Sequence, residues 1–185
     1  MKRNILLYIF GIIILFSSCG NYKKLVQLEP TNVTKFSSDV FNGKYLNKTI
    51  TKDSKYHSTG HNLWYALCDV KSIHGSDKVK ASDTAIVNLR FVDNRLYAQL
   101  IENGEVLQEI VLKAKIKDDY LSVKRKYLFI PILPMLFFYY NYKLILANIE
   151  NENLILKIYY NQTGALLIMA SGDGGITSAE FVKIE

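Results

Sequence analysis

Residues 84–124 read TAIVNLRFVDNRLYAQLIENGEVLQEIVLKAKIKDDYLSVK, and three short polar pairs divide that run. Asp93-Asn94, Asn103-Gly104 and Asp118-Asp119 are residue types that tolerate the left-handed backbone of a tight hairpin turn. Each pair is flanked by alternating or apolar residues, so 84–92, 95–102, 105–117 and 120–130 read as strands. Spacing this close leaves no room for crossover helices, and neighbouring strands must pair antiparallel.

The pattern extends in both directions. Downstream, strands are expected over 135–148, 154–161, 165–171 and 176–184, divided by Asn151 to Asn153, Thr163-Gly164 and Gly172 to Gly175. Tyr127 to Tyr142 is the most apolar stretch after the first twenty residues. Pro131 and Pro134 remove ladder donors from it, which predicts a strand, a Pro131-Ile132-Leu133-Pro134 turn and a second strand. Upstream, Gly43 to Leu46 reads as the first strand. Leu63, Leu67 and Val70 have helical spacing, giving one short helix near 62–71 that Thr59 or Asn62 could cap. A meander of about nine strands exposes two edges unless it closes on itself. The expected fold is therefore all-β, an antiparallel up-and-down barrel.

Side-chain parity assigns the faces. A two-residue turn at Asp93-Asn94 puts Val87, Leu89 and Phe91 on one face with Leu96, Ala98 and Leu100. In the next strand Ile110, Leu112, Ala114 and Ile116 alternate with Lys113, Lys115 and Lys117. A two-residue loop at Asn103-Gly104 would turn those lysines inward, so a three-residue loop, Glu102-Asn103-Gly104, is expected instead. A two-residue turn at Asp118-Asp119 then sets Lys113 opposite Lys124. It leaves Lys113, Lys115, Lys117, Lys124 and Lys126 on one outer face, a patch suited to anionic lipid headgroups or simply to water. The same register sends Leu121, Val123, Arg125 and Tyr127 inward, with Arg125 opposite Leu112. An inward guanidinium must be paired or solvated. Its partner is either an internal acceptor or the anionic head of an amphiphile lying along Leu112, Phe91 and Tyr127.

The start of the chain has the layout of an export signal: Lys2 and Arg3, an apolar run from Ile5 to Phe16, then Ser17 and Ser18. That run is about twelve residues, short of the roughly 20 a spanning helix needs. Phe16-Ser17-Ser18-Cys19 resembles the lipobox of bacterial lipoproteins, Bacteroidetes types included. The resemblance implies cleavage before Cys19 and acylation of that cysteine, which would hold the chain on a membrane. The expected organisation is a signal peptide over 1–18, a lipidated flexible tether over 19–39 and a single barrel domain over 40–185. Removing residues 1–18, which carry Lys2 and Arg3 and no acid, lowers the formal charge from +6 to +4. Gly20 to Lys24 lacks the acidic residues that resemble surface-export signals, which points to the periplasmic face of the outer membrane. Asp83-Thr84-Ala85 resembles a short O-glycosylation signal of exported Bacteroidetes proteins.

A small barrel behind an export signal resembles the lipocalin-like, or calycin, family, with Gly43-Lys44-Tyr45 standing where those proteins often carry Gly-X-Trp. That resemblance implies a barrel whose interior holds a small hydrophobic or amphiphilic ligand. The alternative is a structural or assembly lipoprotein with a solid barrel that acts through its surface. No catalytic constellation, metal site or cofactor motif is evident, so a non-enzymatic role without cofactors is expected. His57 and His61 are spaced i, i+4 but flank Gly60 in a polar run, and His74 stands apart. The glycines at 172–175 lack the following helix that a phosphate cradle requires. With Cys19 lipidated, Cys68 has no disulfide partner and is expected to pack as a small hydrophobe. Export argues against nucleic acid as a partner despite the positive charge.

Replacing Cys19 with alanine is expected to leave unprocessed or soluble precursor and to abolish incorporation of labelled fatty acid. Continued labelling of the alanine variant would contradict the lipoprotein reading.

Overall fold

The Asp93-Asn94 turn has both residues in the left-handed region, at φ 50° and 59°, as a two-residue hairpin requires. It joins β2 (Ile86–Val92) to β3 (Arg95–Glu102) with Val92 opposite Arg95. Val87 therefore faces Leu100 and Leu89 faces Ala98, all four fully buried, as the parity argument expects. The computed structural model describes residues 33–51, 62–71, 79–124, 128–133, 136–166 and 169–184, with backbone alone at 124, 128–133, 136–140, 162–166 and 169–173.

The next hairpin corrects one expectation. The turn into β4 (Glu105–Lys117) is the two-residue Asn103-Gly104, at φ 53° and 82°, with Glu102 opposite Glu105. The three-residue Glu102-Asn103-Gly104 loop does not form. Parity is restored by a bulge instead: Ile101 pairs with Val106 but Leu100 pairs with Gln108. The extra residue brings Ile110, Leu112 and Ala114 to the buried face and leaves Lys113, Lys115 and Lys117 exposed. Burying three ammonium groups would cost far more than a local kink in one strand. The turn into β5 (Tyr120–Lys124) follows the expected register, with Lys117 opposite Tyr120 and with Leu121 and Val123 buried.

Beyond β5 the chain forms β6 (Leu128–Leu133), β7 (Leu136–Asn148), β8 (Leu154–Leu166) and β9 (Met169–Lys183), and β1 (Gly43–Thr49) pairs with both β2 and β9. β5 pairs with β7, so eight strands close an up-and-down antiparallel barrel and β6 continues along the edge of β7. The expected strand over 120–130 is thus two strands against one partner, Lys124 facing Lys143 and Leu128 facing Tyr140. Pro131 lies within β6 opposite Phe137, not in a turn. Proline is tolerated there because β6 pairs on one side only.

The expected turns at Thr163-Gly164 and Gly172 to Gly175 are also corrected. Both lie inside strands, with Gly164 opposite Ser171, Asn161 opposite Gly174 and Tyr160 opposite Gly175. Three expected strands are therefore two long ones. Gly175 serves close approach: a Cβ there would sit 2.9 Å from Tyr160 Oη and 3.0 Å from its Cε1. The bare backbone accepts the neighbouring ring.

Both ends of the ring are covered. At the end holding the β2–β3 turn, the segment from Val33 packs Phe36 against Phe41 and Phe91, with ring centroids 5.4 and 5.7 Å apart. Val33 pairs with Ile149, and a short helix α1 (Ser38–Phe41) follows. Helix α2 (Leu63–Lys71) matches its expected position, and Asn62 is its cap: Tyr65 N donates to Asn62 Oδ1 at 3.0 Å. Trp64 N donates to Asn47 Oδ1 of β1 at 2.9 Å. α2 packs on β1, β4 and β7, which stand at separated places around the ring, so it lies across the lumen. It buries Leu63, Trp64, Ala66, Leu67, Cys68 and Val70.

The Tyr45 hydroxyl joins wall to cover, donating to Phe41 O at 2.6 Å and accepting from Asn148 Nδ2 at 3.1 Å. Burial pushes its pKa up to about 12, partly opposed by the Asn148 hydrogen bond and assisted by the charge of Glu152. The folded chain keeps this proton after an unfolded chain, titrating near 10, has lost it. The contribution is full below pH 10 and falls as pH rises from 10 toward about 12. Tyr45→Phe is expected to cost about 1–3 kcal/mol at neutral pH, because two buried groups lose their partner. It is also expected to flatten the alkaline decline in stability. Denaturant titrations at neutral and alkaline pH measure both effects.

Candidate functional site

Two regions can be weighed, the lumen and the outer wall, and side-chain parity separates them. Of the four residues expected around an internal ligand, Leu112 is buried in the core and Phe91 is half-buried at the covered end. The Phe91 N–H donates to Asn42 Oδ1 at 2.7 Å. Arg125 and Tyr127 lie outside the described residues. Where the described side chains line it, the lumen is occupied: Tyr45, Leu96, Leu121, Leu144, Leu156 and Phe181 are 0% exposed. Trp64 and Leu67 of α2 complete the packing from one side, also without accessible surface. An eight-stranded ring is narrow enough for its own side chains to fill it. The fully buried Trp64 indole Nε1 meets no acceptor among the described residues. That costs about 1–3 kcal/mol and is offset by burial of the ring.

The outer wall carries charge. Lys113, Lys115 and Lys117 are exposed, as expected, and they line a cleft of about 610 Å³ together with Asp93, Arg95, Ile116 and Ser122. Pairing explains the convergence: Arg95 stands directly opposite Lys113, and Lys115 opposite Ser122. Among the described residues, no ion pair or side-chain hydrogen bond holds Arg95, Lys113 or Lys115. Ile116 continues the inward set of β4 but lies past the core at the barrel's end, 51% exposed among the lysines. At Lys124 the backbone pairs with Lys143 across the β5–β7 seam, and Lys126 lies outside the described residues. Arg95 was missed from sequence because its place beside Lys113 depends on the bulge between Leu100 and Ile101.

A second, smaller cleft of about 200 Å³ lies over β2, β3 and β4. Asn88 Nδ2 donates to Gln99 Oε1 at 3.0 Å, Gln99 Nε2 donates to Glu109 Oε2 at 2.7 Å, and Arg90 stacks over the Tyr97 ring at 5.1 Å. These groups engage one another, so the ladder stiffens the wall. Asp83 and Thr84 form an exposed turn before β2, where Asp83 pairs with Lys48 at 2.7 Å. No group of three or more His, Cys, Asp or Glu residues suited to a metal occurs among the described residues, and His57, His61 and His74 lie outside them. Cys68 is buried in α2, matching its expected packing role.

A filled lumen has a measurable consequence. Leu144→Ala is expected to destabilise the fold by about 2–5 kcal/mol, since the surrounding barrel cannot collapse onto the gap. A loss under about 1 kcal/mol in denaturant titration would mean that the site already had room to relax. In comparison with known proteins, the chain matches no family model, no curated protein and no solved structure.

Proposed function

We propose that this chain is an exported lipoprotein, cut before Cys19 and held on a membrane by lipid on that residue. Its filled barrel serves as a rigid structural or assembly platform that works through its outer wall. One observation carries this choice over internal ligand carriage: the central side chains are 0% exposed beneath two covered ends. A carrier of small amphiphiles needs a lined cavity of roughly 300 Å³ or more. Here tyrosine, leucine and phenylalanine side chains stand where such a ligand would lie.

The export half of the reading is supported by the charged start, the apolar run from Ile5 to Phe16 and the small residues before Cys19. Absence of acids from Gly20 to Lys24 favours the periplasmic face of the outer membrane. In this reading the platform performs no covalent chemistry. Its work is positional: a stiff body placed at a membrane, with a cationic cleft on its wall.

Organic extraction of the mature protein after size-exclusion in detergent, followed by mass spectrometry, tests the platform role. The expected result is acyl chains covalently held at Cys19 and no further amphiphile at a stoichiometric level. A lipid or fatty acid recovered mole for mole with the protein would overturn the platform reading in favour of a carrier.

A further inference from the structure

The turns of an up-and-down barrel alternate between its two ends. The β2–β3 turn, the β4–β5 turn and the β7–β8 connection therefore share one end. The cleft is built from the first two, through Arg95 beside one turn and Lys113, Lys115 and Lys117 approaching the other. The first described residues also lie at this end: Val33 pairs with Ile149, and Thr34 N donates to Asn148 O at 3.0 Å. In sequence, Val33 stands fourteen residues after Cys19.

The cleft sets four cations, Arg95, Lys113, Lys115 and Lys117, against the single carboxylate of Asp93. Arg95 and Lys113 are like charges on directly opposed residues, an arrangement that destabilises a sheet unless something screens it. No carboxylate among the described residues pairs with either, or with Lys115. Beside these cations, Ile116 and, at the β2–β3 turn, Val92 are 51% and 42% exposed. Positive charge around protruding aliphatic side chains is the combination that lies well in the headgroup layer of an anionic bilayer, with cations on phosphates and apolar groups at the acyl boundary.

We propose that this end of the barrel docks on an anionic bilayer. Arg95, Lys113, Lys115 and Lys117 take lipid phosphate groups, and Ile116 enters the boundary beneath them. The docking sets the orientation of the barrel on the membrane, with the covered α2 end and the β6–β7 hairpin directed away from it. This deepens the platform reading by naming what the wall meets. It depends on lipidation of Cys19 only for the tether, and the cleft is testable without lipid on the protein.

The test uses the mature chain with Cys19→Ala, so that no acyl group contributes. Co-sedimentation at low salt is compared on phosphatidylcholine vesicles with and without one third phosphatidylglycerol. Each lysine near an anionic surface contributes about fivefold to partitioning, so Arg95→Gln/Lys113→Gln/Lys115→Gln is expected to lose at least about tenfold on the anionic vesicles. Raising the salt is expected to weaken the parent chain in the same way. Lys48→Gln/Lys71→Gln/Lys80→Gln removes as much charge elsewhere and is expected to stay within about twofold, since screening confines the attraction to the contacting end. An environment-sensitive dye on Ile116→Cys should shift on anionic vesicles, and the same dye on Glu105→Cys at the opposite end should not; buried Cys68 does not compete for label. Equal losses in the two triple variants would reduce the effect to net charge and overturn the proposal. So would equal binding to neutral vesicles, or a dye response at residue 105 in place of 116. Absence of binding to anionic vesicles would also overturn it and direct the cleft to an acidic protein partner, while leaving the lipoprotein reading intact.

Discussion

The seam between β5 and β7 is the constraint on which the rest of the structure depends. Leu121 faces Leu146, Ser122 faces Ile145 and Val123 faces Leu144, and these few pairs turn a nine-stranded sheet into a closed ring. Without them the outer edges of β5 and β7 would present unpaired backbone groups over their length. With them, the ring has the circumference at which leucine and aromatic side chains meet across the axis. Closure also passes the outer part of β7 to β6. β5 ends at Lys124 opposite Lys143, β6 begins at Leu128 opposite Tyr140, and the two share one partner edge.

Where one face of a strand meets the core and the other meets water, its side chains alternate, and the sequence declares it. That holds for β2, β3 and β4, whose turn pairs and core faces were legible from residues 84–124. It fails for β7 and β8. Asn141 to Asn148 and Leu154 to Ile158 are buried on both faces, so their apolar side chains run on as Leu144-Ile145-Leu146-Ala147 and Leu154-Ile155-Leu156. Period alone cannot place such strands, and glycines then become the tempting markers. Gly172 to Gly175 read as a turn in the sequence because glycine's two uses, left-handed backbone and close approach, look the same there. The Tyr160 ring that needs the second use comes from a different strand.

The candidate site shows a similar division. Outward placement of Lys113, Lys115 and Lys117 followed from parity, but the cleft needed Arg95, and that depended on register. The three-residue loop expected at Glu102-Asn103-Gly104 would have set Arg95 against Val111. The bulge between Leu100 and Ile101 moves it to Lys113 and creates the cation cluster. A bulge leaves little trace in residue types when its strand is as mixed as Val106-Leu107-Gln108. The role of α2 was hidden in another way: its apolar spacing was plain, but only the ring explains why it is buried on nearly every side.

In the proposed reading, closure, filling and surface action form one chain of cause. A sealed seam keeps the lumen packed wherever the described side chains line it, and the outer wall is then the working surface. Native-state hydrogen exchange at the seam tests this most directly. Amides of Leu121 to Lys124 and Lys143 to Leu146 are predicted to exchange only through global unfolding, with the same free energy as the β2–β3 hairpin. Exchange at the seam through a low-energy local opening, while β2–β3 stays protected, would mean that the barrel opens between β5 and β7. The account of a sealed platform would then be contradicted.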